Sequence, residues 1–503
     1  MKSKNISLVI RYAIIAVPVG ALLWNCSGEP KKETVVELNY SKISWQMPVE
    51  VHDTTQVDYA ILGWQSFIAL NWPADTNYRG KPDTTKKTGT SSPVVWETFK
   101  LKEETFYPDT LTNPGPWNAA SVNGKPRRSF AKKSLFRAAK SFDTIPVDQQ
   151  GGEFNEAGTN VPLIDQDSNY VMYEIAINES EYTYIVNHNY FNGNVQKREV
   201  HAHSFTNPPK GDTLVTRSEN GDSLYYQIAP SIAGLPSFAQ YGSTEIKASW
   251  RVLPASMPAA QLQRYYHRTS VIALPQGGYR TAEVGLVGLH ILRLSYITRN
   301  TWYWATFEQM DNVTVSSGSA FTPSFNPGGN PSYPNGYCYN SPACDSFPDT
   351  ITNFLPEHSK PVNISRFTPI PSYIDSLNSV YQALLSGTVW QYYQMVGVVN
   401  QAVGSNKSFE LPYPANTGIY TNVNMMANTT LESYAQNSSF GNPFSNCVSC
   451  HSFGFPQHDP ADKAYVDSTS QIFTFLLLDA STTGASATKS EAVLRRQRMR
   501  GHK

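Results

Sequence analysis

The chain has 503 residues, of which 40% are hydrophobic and 16% are charged, and its formal net charge is +0. A balanced charge gives no electrostatic case for binding nucleic acid, and a chain of this length can bury a large core and form more than one structural unit. The 29 tyrosines, 34 prolines and 31 glycines favour a loop-rich protein with β-strands over a helical bundle.

The N-terminus has the layout of a secretory signal. Basic residues precede an apolar run at residues 12–24, which is too short to span a bilayer with a stop-transfer flank. The stretch that ends at Cys26 resembles a bacterial lipobox, although Trp24 and Asn25 are bulkier than the residues usual there. We therefore predict a signal peptide over residues 1–25 and a lipid on Cys26, which would attach the protein to a membrane. Ordinary cleavage nearby is the alternative, and both predict export to the periplasm or the outer membrane.

The next segments predict a tether followed by a folded domain. Residues 26–51 are rich in Lys and Glu and lack hydrophobic periodicity, as a tether does. Residues 52–419 predict a β-rich α+β domain. Its first element is a helix around residues 59–68, which ends at Asn71-Trp72-Pro73 because proline cannot continue a helix.

The middle third of the chain has the period of β-strands. Apolar residues alternate in three segments, 171–177, 182–186 and 246–252. Asn192-Gly193 and Asn220-Gly221 are hairpin signals, because type I′ turns need residues that tolerate positive φ. Residues 283–294 and 302–307 are rich in apolar residues with glycine between, like strands buried on both faces. We therefore expect a large antiparallel or mixed sheet.

Loop and helix signals follow the strands. Residues 313–350 are dominated by Ser, Pro, Gly and Asn and predict a long surface loop. Helical periodicity returns at residues 374–393. Thr429-x-x-Glu432 has the form of a capping box, which predicts a further helix that begins at Asn428 or Thr429.

The segment Cys447-Val448-Ser449-Cys450-His451 has the C-x-x-C-H spacing of a c-type haem attachment site. Residues i and i+3 lie on one face of a short helix, so both thiols can reach the porphyrin vinyl groups while His451 ligates the iron. A zinc site would need a second C-x-x-C, a redox dithiol would normally follow a strand of a βαβ unit, and neither predicts His451. We expect one covalent haem c on a small, helical, cytochrome c-like segment at residues 420–480, before a basic tail at residues 481–503.

The two spare cysteines, Cys338 and Cys344, lie in the predicted loop. In an oxidising compartment they are expected to form a small disulfide, whose closed loop is short and whose entropic contribution is therefore limited. We predict that this bond restrains part of the surface loop.

The sixth iron ligand decides what a haem here can do. Met425 and Met426 are the first candidates, because they lie on the segment that leads into the haem unit. His458 and His290 follow, and a vacant position is a further possibility. Methionine is usually core filler, and a lone histidine is more often structural than a ligand. Met499 lies in the basic tail, whereas a thioether ligand needs an apolar pocket.

Four segments together are similar to a poorly characterised group of bacterial exported cytochrome c proteins with one C-x-x-C-H near the C-terminus and a large N-terminal domain. They are residues 64–73, 285–290, 302–312 and 427–430, ahead of the C-x-x-C-H. The resemblance spans residues 64–451 and implies a single-haem cytochrome with thioether bonds at Cys447 and Cys450 and with His451 as axial ligand. It implies no substrate. Gln309 stands where that group is expected to carry histidine.

Two functional classes follow from these features. In the first, the protein transfers electrons to and from unidentified redox partner proteins. In the second, the distal position is open and the haem serves an enzyme or sensor that acts on a small oxidant. A lipoprotein that binds a ligand and carries an accessory haem is a third possibility. Glu308 and Asp311 lie close together in sequence, and we predict structural hydrogen bonds and no acid–base role for them.

Overall fold

The computed structural model describes residues 43–48, 55–75, 77–90, 93–107, 111–118, 163–202, 242–273, 279–294, 301–314, 321–328, 361–366, 369–402, 426–433 and 476–482. They include the greater part of the predicted domain at residues 52–419. The predicted signal peptide at residues 1–25 and nearly all of the tail at residues 481–503 lie outside the described residues, as does Asn220-Gly221.

A seven-stranded antiparallel sheet dominates the described part of the chain. Its strands are β1 (Lys100–Leu101), β2 (Met172–Ile177), β3 (Thr244–Val252), β4 (His267–Ala273), β5 (Tyr279–Leu294), β6 (Thr301–Gln309) and β7 (Tyr393–Ala402). Their order is β1-β2-β3-β5-β6-β7, and β4 pairs with the first part of β5. The predicted α+β class with a large antiparallel sheet is therefore confirmed.

The two faces of this sheet have different partners, because successive side chains of a strand point to opposite sides. Leu289 pairs with Phe307 and Ile291 with Ala305, and these residues face the helices. Between them His290 pairs with Thr306, and both residues point to the opposite face. Burial on both sides explains why β5 and β6 are apolar for most of their length.

Helix α1 (Gln56–Leu70) packs on the first of these faces. Its N-terminus has a capping box, in which the Thr55 side chain accepts from the Asp58 N–H and Asp58 bonds the Thr55 backbone. Phe67 stacks on Phe307 with ring centroids 4.3 Å apart. Gly63 permits the close approach, since a Cβ there would lie 2.8 Å from the Met395 side chain. The helix predicted around residues 59–68 is confirmed.

Helix α6 (Ser372–Leu384) lies beside α1 and covers part of the outer edge of β7. Four helices lie between α1 and α6 in the sequence. They are α2 (Lys102–Thr105), α3 (Glu179–Asn187), α4 (Gly193–Ala202) and α5 (Ala259–Leu262). The prediction of a helix at residues 374–393 extends beyond the observed helix. It ends at Leu384 because Gly387 adopts φ +82°, after which a 3-10 turn leads into β7, a strand that the periodicity did not predict.

Two predictions between residues 178 and 202 are wrong. The alternating aromatic residues at 182–186 belong to helix α3, because the Asn178 side chain accepts from the Glu181 N–H and begins a helix there. Asn192-Gly193 forms no hairpin turn. The Asn192 side chain accepts from the Asn194 N–H over 2.9 Å, and helix α4 begins at Gly193.

The predicted loop at residues 313–350 is described only at residues 313–314 and 321–328, which contain no helix or strand. The remainder of that loop, including Cys338 and Cys344, lies outside the described residues.

Candidate functional site

Most of the residues that the sequence singled out lie outside the described residues. These are Cys26, Cys338, Cys344, Met425, Cys447, Cys450, His451 and His458. Met426 and His290 are described, and both lie on the face of the sheet opposite to α1. Among the described residues, no three His, Cys, Asp or Glu side chains are grouped so that they could hold a metal ion.

Residues 426–433 form a strap that crosses this face of the sheet from β7 towards β2. Within the strap the backbone makes turns, and the Glu432 N–H donates to the Asn428 carbonyl over 2.9 Å. The helix predicted to begin at Asn428 or Thr429 is therefore absent from residues 426–433. Thr429 and Glu432, which would have capped this helix, instead bind residues of the sheet.

The first contact of the strap is with β7. Met426 is buried against Gly397, where an added Cβ would lie 2.5 Å from the Met426 Sδ and 2.8 Å from its Cγ. Glycine in a strand interior often marks the close approach of another chain segment, and Gly397 has this role here.

Asn428 uses every polar group that it has. Its Nδ2 donates to the Phe307 carbonyl over 2.7 Å and to the Thr306 hydroxyl over 3.0 Å. Its Oδ1 accepts from the N–H and the hydroxyl of Thr430, both over 2.9 Å, and its own N–H donates to Glu432. A completely buried amide is thereby fully satisfied, as burial requires.

Glu308 of β6 binds the centre of the strap. Its Oε2 accepts from the Thr429 N–H over 3.0 Å and from the Thr429 hydroxyl over 2.7 Å. Its Oε1 accepts from Gln394 and forms a close ion pair with Arg366, which also donates to the Ala427 carbonyl. Burial lowers the pKa of Arg366 to about 10, so the guanidinium stays charged at neutral pH and neutralises the buried carboxylate.

Thr430 extends the contact to β3, β5 and β2. Its hydroxyl lies 2.7 Å from the Ser249 hydroxyl, and its carbonyl accepts from the Tyr173 hydroxyl over 2.8 Å. Gly288 of β5 lies directly beneath, where a Cβ would lie 2.5 Å from the Ser249 Oγ and closer still to the Thr430 Oγ1. The strap can lie this close to β5 only because Gly288 has no side chain.

Glu432 and His290 form an ion pair at the end of the strap, with the His290 Nε2 3.3 Å from the Glu432 Oε1. Burial raises the pKa of Glu432, but His290, Lys247 and the Asn428 N–H together outweigh this effect and hold the pKa below its ordinary value. The Glu432 side chain is 26% exposed, so this pair marks the boundary between the buried strap and solvent.

Glu308 and Asp311 have the structural roles predicted for them. Asp311 accepts two hydrogen bonds from Arg264, over 2.5 and 2.6 Å, and Gln309 binds both Arg264 and Asp311. The side chain at position 309 is therefore fully used in holding the end of β6.

The described candidates for the sixth iron ligand both have other partners. The Met426 thioether packs against β7, and the His290 Nε2 faces Glu432. Their role as axial ligands stays a prediction, because the C-x-x-C-H segment lies outside the described residues.

Three of the four segments of the family resemblance meet at the strap, whereas residues 64–73 belong to α1 and the residues that follow it. Residues 285–290, 302–312 and 427–430 are far apart in sequence, yet Gly288, Glu308 and Thr429 belong to one connected site. The glycine within the apolar run of β5 is a sequence signal for such a close approach. Arg366, Ser249 and Tyr173 were missed, because an isolated residue in a loop or strand carries no pattern that identifies its partner.

The described residues include no helix long and apolar enough to cross a bilayer. Comparison of the chain with models of protein families, with curated proteins and with solved structures found no match in any of the three.

Proposed function

We propose that the chain is an exported c-type cytochrome with one covalent haem, and that it transfers electrons in the periplasm or at the outer membrane. The observation that carries the proposal is the segment Cys447 to His451, whose C-x-x-C-H spacing supplies two thioether sites and an axial histidine. A haem bound there would supply a one-electron redox centre. We also propose that the chain is related to the exported cytochrome c proteins that it resembles. The haem would lie on a small segment at residues 420–480.

The strap supports the proposal through its position in the chain. Ser433, the last described residue of the strap, is separated from Cys447 by 13 residues. Within the predicted haem segment, the C-x-x-C-H motif is therefore preceded by eight residues with many buried hydrogen bonds to the sheet. A redox centre that exchanges electrons with partners benefits from a fixed attachment to a rigid scaffold, because rigidity keeps its surroundings unchanged between oxidation states.

The test is haem attachment in the full chain. Production in bacterial cells that carry out cytochrome c maturation should give an intact mass with one haem added and the absorption spectrum of a haem held by two thioether bonds. The variant Cys447→Ser with Cys450→Ser should give apoprotein only. Ser449→Ala, at a position between the two thiols, is the matched control and should keep the haem. Recovery of apoprotein alone from maturation-competent cells would contradict the proposal.

A haem enzyme or sensor with an open distal position is the second candidate. It is favoured by the surroundings of two of the four named donors, because the Met426 thioether packs against Gly397 of β7 and the His290 Nε2 lies 3.3 Å from the Glu432 Oε1. Carbon monoxide added to the reduced protein and cyanide added to the oxidised protein distinguish the two functions. Rapid binding of either would favour the open site, and refusal of both would favour electron transfer.

Export and anchoring form a separate part of the proposal. We propose a lipid on Cys26 and a disulfide between Cys338 and Cys344. Cell fractionation with fatty-acid labelling should show a membrane-associated lipoprotein, and Cys26→Ser should lose the label. Alkylation before and after reduction should release two thiols from the chain that carries Cys338 and Cys344, whereas the variant with serine at both positions should release none.

A further inference from the structure

Four aromatic side chains, three indoles and one phenol, form a continuous row in the core of the protein. They are Trp96, Trp250, Tyr266 and Trp390, and all four are buried. The ring centroids of Trp96 and Trp250 are 6.0 Å apart, those of Trp250 and Tyr266 are 6.2 Å apart, and Trp390 stacks on Tyr266 at 4.7 Å. Indole and phenol rings give up one electron more readily than most side chains, and these separations are short enough for an electron to move between neighbouring rings.

The Tyr266 hydroxyl has a proton acceptor beside it. It donates a hydrogen bond to the Glu97 Oε2, and Glu97 lies in the 3-10 turn Val95–Thr98. Stacking of the rings requires no carboxylate at this position, whereas proton transfer does, because a base must lie within hydrogen-bond reach of the proton that it accepts. A phenol that loses one electron becomes a strong acid. Glu97 is therefore placed to take the proton of an oxidised Tyr266.

The charges around Glu97 favour this proton transfer. The Arg268 guanidinium pairs with both Glu97 and Glu174, so these three groups together carry one negative charge in excess. A proton on Glu97 leaves Arg268 and Glu174 as a balanced pair. The Arg268 guanidinium carbon also lies 4.1 Å from the centre of the Trp250 ring, where its charge opposes the formation of a radical cation. An electron vacancy in the row is therefore most stable on Tyr266.

We propose that Tyr266 is a redox-active tyrosine, which a strong one-electron oxidant converts to a neutral phenoxyl radical. The oxidant takes one electron from Tyr266, directly or through Trp390. The O–H bond of Tyr266 breaks and the proton forms a new O–H bond on Glu97. A one-electron reductant and the proton from Glu97 restore the phenol, so the site stores one oxidising equivalent reversibly. This function goes beyond the proposed haem and does not depend on it, because all of its groups lie within the described residues.

The experiment oxidises the full chain with ruthenium(III) tris-bipyridine generated by a light flash, while any haem is kept in its oxidised state. Electron paramagnetic resonance detects the radical, and ring-deuterated tyrosine identifies its signal as a tyrosyl radical. Tyr266→Phe removes the hydroxyl. Glu97→Gln keeps an acceptor oxygen for the hydrogen bond but can no longer take the proton, so it tests the same site even if Tyr266→Phe fails to fold.

Tyr182→Phe is the matched control. Tyr182 is also a buried tyrosine beside an indole, with its ring centroid 5.5 Å from that of Trp117. Its hydroxyl donates to the Gly115 carbonyl over 2.8 Å, and a backbone carbonyl does not hold a proton.

We expect the wild-type chain to give a long-lived tyrosyl radical that forms more slowly in heavy water, because a proton moves together with the electron. The signal should be lost in Tyr266→Phe, should decay faster in Glu97→Gln and should be unchanged in Tyr182→Phe. Absence of the signal from the wild type would overturn the inference, as would its persistence in Tyr266→Phe or an unchanged decay in Glu97→Gln. An intact mass without haem would contradict the proposed function alone, because the radical forms on residues that the haem does not supply.

Discussion

Glu308 accepts two hydrogen bonds from Thr429, one from the backbone N–H over 3.0 Å and one from the hydroxyl over 2.7 Å. The two residues are 121 positions apart in the chain. Their contact joins the C-terminal end of β6 to the strap that precedes the C-x-x-C-H segment. A buried carboxylate with several partners is costly to disturb, because any donor or charge left behind has no access to water.

Asn428→Asp is expected to destabilise the folded protein by about 3 kcal/mol. The substitution keeps the shape of the side chain but places a carboxylate oxygen against the Phe307 carbonyl and removes the donor to Thr306. Urea unfolding followed by fluorescence measures the change. Asn118→Asp is the control, since Asn118 is exposed, and its effect should stay within about 0.5 kcal/mol. Equal effects of the two substitutions would contradict the assigned hydrogen bonds.

Gly288→Ala is expected to cost about 1–3 kcal/mol, because the new methyl group overlaps Thr430 and Ser249. Gly285→Ala, on the same strand, meets Leu253 and Tyr265 and does not touch the strap. Truncation of Thr430 to Ala should partly rescue Gly288→Ala but should leave the effect of Gly285→Ala unchanged. A double-mutant cycle measured by urea unfolding tests this coupling. Additive effects of Gly288→Ala and Thr430→Ala would show that the strap does not lie on Gly288.

Asn378→Ala is expected to destabilise the protein by about 2 kcal/mol and to promote aggregation. Asn378 on α6 accepts from the Met395 N–H and donates to the Met395 carbonyl, both over 2.9 Å, and so covers the outer edge of β7. Thermal unfolding and light scattering measure the two effects. Ser376→Ala on the same helix changes an exposed hydroxyl and should alter neither. Loss of stability without aggregation would mean that another part of the chain covers this edge.

The ion pair of Glu432 predicts a pH-dependent stability. The groups that face Glu432 are His290 on β5 and Lys247 on β3. The pKa of Glu432 in the folded state lies below its ordinary value of 4.5, so the stabilisation is present above pH 4.5 and is lost as the pH falls through the folded-state pKa.

Glu432→Gln should therefore reduce the free energy of unfolding at pH 7 and have a smaller effect at pH 3. Urea unfolding at the two pH values measures this difference. His290→Gln is the companion variant, and in its background the pH-dependent effect of Glu432→Gln should be smaller. An effect of Glu432→Gln that is the same at both pH values would refute the assigned ion pair.

Local patterns predicted the elements whose signals are strong and continuous. Helix α1 has helical spacing and ends before Pro73, and β3, β5 and β6 have period two or continuous apolar character, so each was identified. Tyr182 and Tyr184 alternate in the same way, yet they lie in a helix because Asn178 caps it. A pattern of period two over few residues cannot distinguish these outcomes, and the local cap decides between them.

The capping box at Thr429 shows the opposite effect, in which tertiary contacts override a local signal. Thr429 and Glu432 have the spacing of a helix cap, but Thr429 bonds Glu308 and Glu432 pairs with His290. Partners distant in the chain thereby replace the helix hydrogen bonds that the motif would make. Residues 428–432 alone therefore cannot show that contacts with the sheet replace the helix cap.

Local sequence patterns predicted an α+β protein with a large sheet and the position of α1, and they include the C-x-x-C-H motif on which the proposed function depends. These features depend on residues near one another in the chain. The three-dimensional arrangement was needed to show that all pairings in the sheet are antiparallel among the described strands, that Gly288, Glu308 and Thr429 meet, and that Arg366 neutralises the buried carboxylate. The physical reason is that hydrogen bonding and close packing act across space, whereas periodicity and spacing report only on neighbours along the backbone.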